Sequence, residues 1–400
     1  MPTVDLNYRP NPDRSVCVFG DIGDELVSRL APEILRLRHA SDAPITVYIN
    51  SNGGSTRCLD YIHSLLASKG LSAKKGRVIT VVVGNAKSAA ANLLTLGDYA
   101  VAYPTASILF HGVRYGGVDV VTMETAESMA NQLHSTNRAT AAQLARVGAE
   151  RLAFHYARLK GEFAEVRSSS PKENLSDIEC FAHVLQRHLS PVGKQIVFKA
   201  MERWQSLKIL SEQVMRKARQ AQKSGLKFEA AVLHGVINYE VKRNANTDWS
   251  LGGKGNGLLR VVSDFTLQRD YDVGHHTRLV WNLFAKFSSA FFTEQDIATI
   301  KAVVANADKP SGVSDETLNY ANSRIEEVIK PFCYFAASLW QGLQEEENPL
   351  RPSDAYWLGA IDEIYDTALP SLRDIAEGDD EDQETLPLDS KPLEPKAPSQ

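Results

Sequence analysis

From residue 16 to about residue 189, short apolar runs alternate with stretches in which apolar residues recur every three or four positions, the rhythm of strands alternating with helices. Residues 16–19 form the first run. From Asp24 onward, Leu26, Leu30, Ile34 and Leu37 fall on one helical face that ends near His39, and residues 45–49 form the second run. A turn over residues 50–54 leads to a helix expected over 56–67. Residues 78–83 are rich in β-branched side chains and short enough for a strand buried on both faces. A helix is expected over 88–96, then short strands near 99–102 and 107–111. Gly116 and Gly117 lead into a helical stretch over 121–160, too long for an ordinary core helix.

Beyond residue 190 the texture changes to helical patterns over 196–222, 277–292, 294–305, 315–342 and 352–368. Arg203, Lys208, Arg216, Lys217 and Arg219 read as one solvated helix face. The segment GGKGNG at 252–257 lacks the GxxxxGK[ST] frame of a phosphate-binding loop and reads as a turn. Six carboxylates crowd the eight residues from Glu377 to Glu384, and proline-rich sequence follows to Gln400, a composition that cannot bury a core. The chain therefore divides into a flexible start (1–14), an α/β domain (15–190), an all-α C-terminal region (191–376) and a disordered acidic tail (377–400).

Composition narrows the class of function. Hydrophobic residues make up 43% and charged residues 23% of the 400, so there is ample apolar surface for a sizeable core. A formal charge of −5 supplies no basic field for phosphate backbones or anionic membranes, so neither nucleic acid nor a membrane is an expected partner. The polar, proline-bearing start lacks the pattern of a signal peptide, and no apolar run approaches 18 residues, which points to a cytoplasmic protein. Cys17, Cys58, Cys180 and Cys333 show neither CxxC spacing nor a disulfide framework, and the adjacent His275 and His276 have no completing ligand set; no metal and no cofactor are expected.

Three segments carry residues suited to acyl transfer, which needs an exposed nucleophile, a base within reach and backbone donors for an oxyanion. In GNAKSAAANLL (84–94), Ser88 stands between a buried strand and a helix, among alanines that leave room for a substrate. Alone, it reads better as a helix cap than as a nucleophile. In INSNGGS (49–55), Gly53 and Gly54 end a strand and can present unhindered N–H groups. In SILFHGV (107–113), His111 closes an apolar strand, where a lone histidine is more often structural.

Taken together and in this order, INSNGG, GNAKSAAANLL and YPTASILFHGVRYGG (103–117) resemble the proteolytic subunit of the ATP-dependent Clp protease, within the crotonase-like superfamily. In that family a strand reads roughly INSPGG, a later turn reads GxAxS before small residues and LL, and a strand ending in His precedes a Gly-Gly pair. The resemblance covers roughly residues 15–190. It implies a crotonase-like spiral of ββα units, Ser88 as nucleophile, His111 as base, and the N–H groups of Gly54 and Ala89 as the oxyanion hole. It further implies a handle helix after Gly117, homo-oligomeric rings, unfolded polypeptide as substrate and an AAA+ ATPase as partner.

The third member of the triad departs from the family. An aspartate is expected shortly before a motif that here reads NLSDIE, and aligning Leu175 and Ser176 with that motif sets Lys172 at its position. Glu173 and Asp177 are the nearest carboxylates, with Glu173 the first choice. Two readings follow: a serine endopeptidase, or a catalytically weak or silent subunit that uses the fold for assembly or binding. The C-terminal region has no counterpart in the family, and its role stays open among substrate recognition, gating and ring contacts.

Overall fold

A computed structural model describes residues 8–69, 76–115, 122–169, 174–205, 286–305, 314–367 and 369–370. Strands β1 (Ser15–Phe19), β2 (Ile45–Ser51), β3 (Val78–Lys87) and β4 (Tyr99–Ala102) alternate with helices α1 (Asp24–Ala40), α2 (Thr56–Leu66) and α3 (Ala89–Leu96). Every pairing between these strands is parallel, in the order β1-β2-β3-β4. Parallel strands need crossovers, and the helical stretches supply them. Leu26, Leu30, Ile34 and Leu37 of α1 are all buried, as their spacing predicts.

The two faces of the sheet follow the period of two along each strand. Val16, Val18, Val47, Ile49, Val82, Ala100 and Ala102 belong to the main core beneath the helices. Ile79, Val81, Tyr99 and Val101 form a second cluster on the other face, with Tyr48 and Tyr103 packed against it.

β3 runs four residues past the expected end, to Lys87, because the short strand β5 (Ser107–Leu109) takes over from β4 as its partner while β2 stays paired to it. Its register with β2 jumps between Ile49↔Val82 and Ser51↔Ala86, and the Asn50 side-chain oxygen fills the bulge by accepting the Asn85 N–H at 3.0 Å. Beyond the bulge, β3 pairs with β5. The Gly-Asn-Ala stretch there carries no apolar rhythm, which is why periodicity ends the strand early.

The long helix α4 (Met123–Leu159) follows, then α5 (Phe163–Ser169), α6 (Asp177–Arg187), α7 (191–205), α8 (Glu294–Ala305), α9 (Asp315–Glu345) and α10 (Pro352–Trp357). Most of 196–222, the loop 252–257, the start of 277–292 and the acidic tail lie outside the described residues. The helix expected over 352–368 ends at Trp357. Gly359 turns the chain at φ +75, and Glu363–Ile364 become β6, which pairs in parallel with β4. The C-terminal region is thus not wholly helical. Its buried residues Phe335, Trp340, Leu350 and Ile361 share one continuous apolar cluster with Val16 and Ile49.

A buried ion pair fastens this closure. Arg151 of α4 donates to the carbonyls of Thr95 (3.0 Å), Gly97 (3.0 Å) and Ala360 (3.2 Å), and its Nη2 lies 2.8 Å from Asp362 Oδ2. The same carboxylate oxygen accepts the Ala100 N–H at 2.6 Å. Both side chains are almost fully enclosed, at 4% and 2% exposure. Removing one partner leaves an uncompensated buried charge, so Asp362→Asn is expected to lower unfolding free energy by about 3–5 kcal/mol in urea titrations. A loss under about 1 kcal/mol would contradict this account of the closure.

Candidate active site

Ser88 sits at the turn between β3 and α3 with φ 56 and ψ −125, a conformation that residues with a Cβ rarely adopt. Although it holds the N-cap position of α3, its side chain makes no capping hydrogen bond. The helix-cap interpretation of this serine therefore fails. Its backbone N–H donates to the Leu109 carbonyl at 2.7 Å, continuing the ladder in which Lys87 faces Leu109.

That bond sets the chain segment of His111 beside the serine turn. His111 lies two residues beyond Leu109, just past the end of β5. The His111 Nδ1 lies 2.6 Å from the Gly112 carbonyl oxygen, which can only accept. Nδ1 thus carries the proton and Nε2 is the basic nitrogen, the tautomer a general base requires. The next residue is pinned as well: the Val113 N–H donates to Asn137 Oδ1 of α4 at 2.6 Å.

Gly53 and Gly54 stand at φ +103 and +144, which no other residue tolerates well. A methyl on Gly53 would lie 2.6 Å from both the Lys87 carbonyl oxygen and the Ser88 Cβ, and 3.2 Å from the Ala89 nitrogen. The glycine turn is therefore packed directly on the serine turn. Gly54 is exposed and stands over Ile22, with the Ile22 N–H bonded to the Gly53 carbonyl at 2.8 Å and the Ser55 N–H to the Ile22 carbonyl at 2.8 Å. Ala89 opens α3, where the first N–H groups lack intrahelical acceptors and the helix dipole favours negative charge. The structure thus packs the Gly53–Gly54 turn against Ser88 and Ala89 and sets His111 two residues beyond the Leu109 carbonyl that Ser88 binds, with no hydrogen bond from Ser88 Oγ to the imidazole among the described residues.

Glu173, like Lys172, lies outside the described residues. Asp177 is committed elsewhere, ion-paired to Arg167 and accepting the Tyr156 hydroxyl at 3.1 Å. One carboxylate that meets the segment after His111 comes from the far end of the chain. Leu350 and Ile108 exchange two backbone hydrogen bonds in an isolated antiparallel bridge, at 2.6 and 3.2 Å. The chain entering that bridge carries Glu347, three residues before Leu350. Glu347 in fact reaches the His111 segment, its Oε1 lying 2.6 Å from Arg114 Nη2. No local pattern signals this, since the two segments are more than 230 residues apart.

The class this arrangement defines is visible in comparison with known families: residues 3–152 match the model of the family described as Clp protease. This upholds the likeness carried by the three motifs. Among individual proteins, the chain is 37% identical over 65 residues to the ATP-dependent Clp protease proteolytic subunit 2 of Gluconobacter oxydans, across 16% of this chain and 29% of that protein. It is 36% identical over 53 residues to proteolytic subunit 3 of both Rhizobium johnstonii and Rhizobium etli, across 13% of this chain and 27% of each relative. The chain spans less than a third of the length of these relatives. Among the described residues, no helix is long and apolar enough to cross a membrane.

The tight packing of the two turns makes a direct prediction. Gly53→Ala displaces Ser88, and a displacement near 1 Å costs about 10²-fold in rate. The variant is expected to react with a fluorophosphonate about 10²-fold more slowly than wild type while keeping its circular dichroism spectrum. Equal reaction rates would contradict the packing argument.

Proposed function

We propose that this chain is a serine endopeptidase that cleaves peptide bonds through an acyl-enzyme intermediate. The observation that carries the reading is Ser88, strained at positive φ, tied by its own N–H to the last residue of β5, two residues before His111. In this reading Ser88 Oγ attacks the peptide carbonyl carbon and passes its proton to His111 Nε2. The N–H groups of Gly54 and Ala89 receive the developing oxyanion. The imidazolium then protonates the leaving amine, and water repeats the sequence in reverse to release the acid.

Glu347 takes the third role. Its contact with Arg114 is a surface ion pair, with side chains 61% and 75% exposed, and such pairs are worth about 0–1 kcal/mol. Releasing the carboxylate from Arg114 therefore costs little, and the role requires it to replace the Gly112 carbonyl on His111 Nδ1. The relatives' designation as proteolytic subunits of an ATP-dependent protease supports unfolded polypeptide as substrate, a ring of identical chains as the assembly, and an AAA+ ATPase as partner.

A second reading is a catalytically silent subunit that serves assembly or binding. It is favoured by one contact, His111 Nδ1 on the Gly112 carbonyl, where an active triad has a carboxylate. Hydrolysis of fluorogenic peptides separates the two. The endopeptidase reading expects turnover that Ser88→Ala abolishes and Glu347→Gln lowers about 10²- to 10⁴-fold, with Glu173→Gln unchanged. No hydrolysis by wild type under any assembly condition would establish the silent subunit, and a loss confined to Glu173→Gln would move the third role there.

A further inference from the structure

The C-terminal segment from Trp340 to Leu350 touches both moving parts of the proposed chemistry, and nothing in the family match, which ends at residue 152, accounts for it. Strand β5 is only three residues long and bonds to β3 along one edge. Its other edge is occupied by Leu350, whose N–H and carbonyl both bond to Ile108. One residue before His111, the Phe110 ring meets the Trp340 indole edge-on, with centroids 5.4 Å apart and planes at 88°. One helical turn beyond Ser88, the Asn92 Oδ1 accepts from Gln344 Nε2 at 3.4 Å in a buried contact. One short stretch thus holds the helix behind the nucleophile and the strand beneath the base.

We propose that Trp340 and Gln344 are positioning residues for Ser88 and His111, so that the C-terminal region completes the active centre from within the same chain. This rests on the endopeptidase reading. The slot for Trp340 is built in: Gly148 of α4 faces it, and a methyl there would lie 2.4 Å from the indole nitrogen. Trp340 is fully enclosed, yet its indole N–H finds no acceptor among the described residues. A buried donor without a partner is destabilising. Shape is therefore what the position demands, and a phenyl ring preserves most of it.

The mechanical logic is one of over-determination. Residues held in sparsely populated backbone regions persist only when their surroundings fix them from several sides. Ser88 has the glycine turn on one side and Leu109 on another. The third side, through Asn92 and Phe110, comes from the helix carrying Trp340 and Gln344.

The test compares wild type, Trp340→Ala, Trp340→Phe and Gln344→Leu in the full chain. Peptide hydrolysis, circular dichroism and the ¹⁵N spectrum of the His111 imidazole are recorded for each. The expected result is a drop in kcat of about 10²-fold for Trp340→Ala with KM within threefold, and recovery to within about fivefold for Trp340→Phe. In wild type and Trp340→Phe the His111 ring should show one fixed tautomer with the proton on Nδ1, whereas Trp340→Ala should average the two. Gln344→Leu, nearly the same size, should lower kcat about tenfold, and it decides the question if Trp340→Ala fails to fold. An active wild type whose folded variants match it in kcat and tautomer overturns the positioning role alone. An inert wild type with a fixed Nδ1–H tautomer that Trp340→Ala loses overturns the endopeptidase reading and leaves the positioning role standing.

Discussion

The backbone hydrogen bond from Ser88 to Leu109 is the constraint on which the rest of the site depends. It is the last rung of the β3–β5 ladder, and it joins a turn that no unconstrained serine would adopt to a strand that leads within two residues to a histidine. Everything upstream prepares for it. The bulge filled by Asn50 shifts β3 along β2, which it still pairs at Ser51↔Ala86, while β5 takes over from β4 as a partner of β3, and the two glycines at positive φ let the neighbouring turn close onto the serine without a collision. The resulting strain, of order 1–3 kcal/mol for a residue in such a region, is of the kind that functional sites concentrate.

The same short strand explains why the chain must fold as it does at its far end. A three-residue strand bonded on one edge is a weak platform, and Leu350 supplies the second edge from the C-terminal region. The Arg151–Asp362 pair then fixes β6 against β4 while satisfying carbonyls at the end of α3. Sheet, serine turn and C-terminal segment are consequently one mechanical unit, although the recognisable family sequence stops at residue 152.

The sequence makes much of this legible and hides the rest for definite reasons. The alternation of strands and helices from β1 to α3 follows from burial periodicity alone, because each element there packs by a local repeat. Ser88 and His111 are each ambiguous singly, and only the joint order of three motifs points to them together. The contact between Glu347 and Arg114 is out of reach, since the two segments meet beside an Ile108–Leu350 bridge that no periodicity encodes. A local search for an acid stops at Glu173 and Asp177, and Asp177 is held by Arg167 and Tyr156. The expected helix over 352–368 fails at Gly359, where positive φ and an open edge on β4 outweigh helical spacing.

Treatment with a peptide chloromethyl ketone tests the central claim most directly, because the reagent bonds to a serine oxygen and then, with loss of chloride, to the nitrogen of a histidine standing next to it. Peptide mapping by mass spectrometry should find the alkyl group on His111 in wild type and should lose it in Ser88→Ala. Alkylation that ignores Ser88, or an unmodified His111 in a protein that still hydrolyses peptides, would contradict the account.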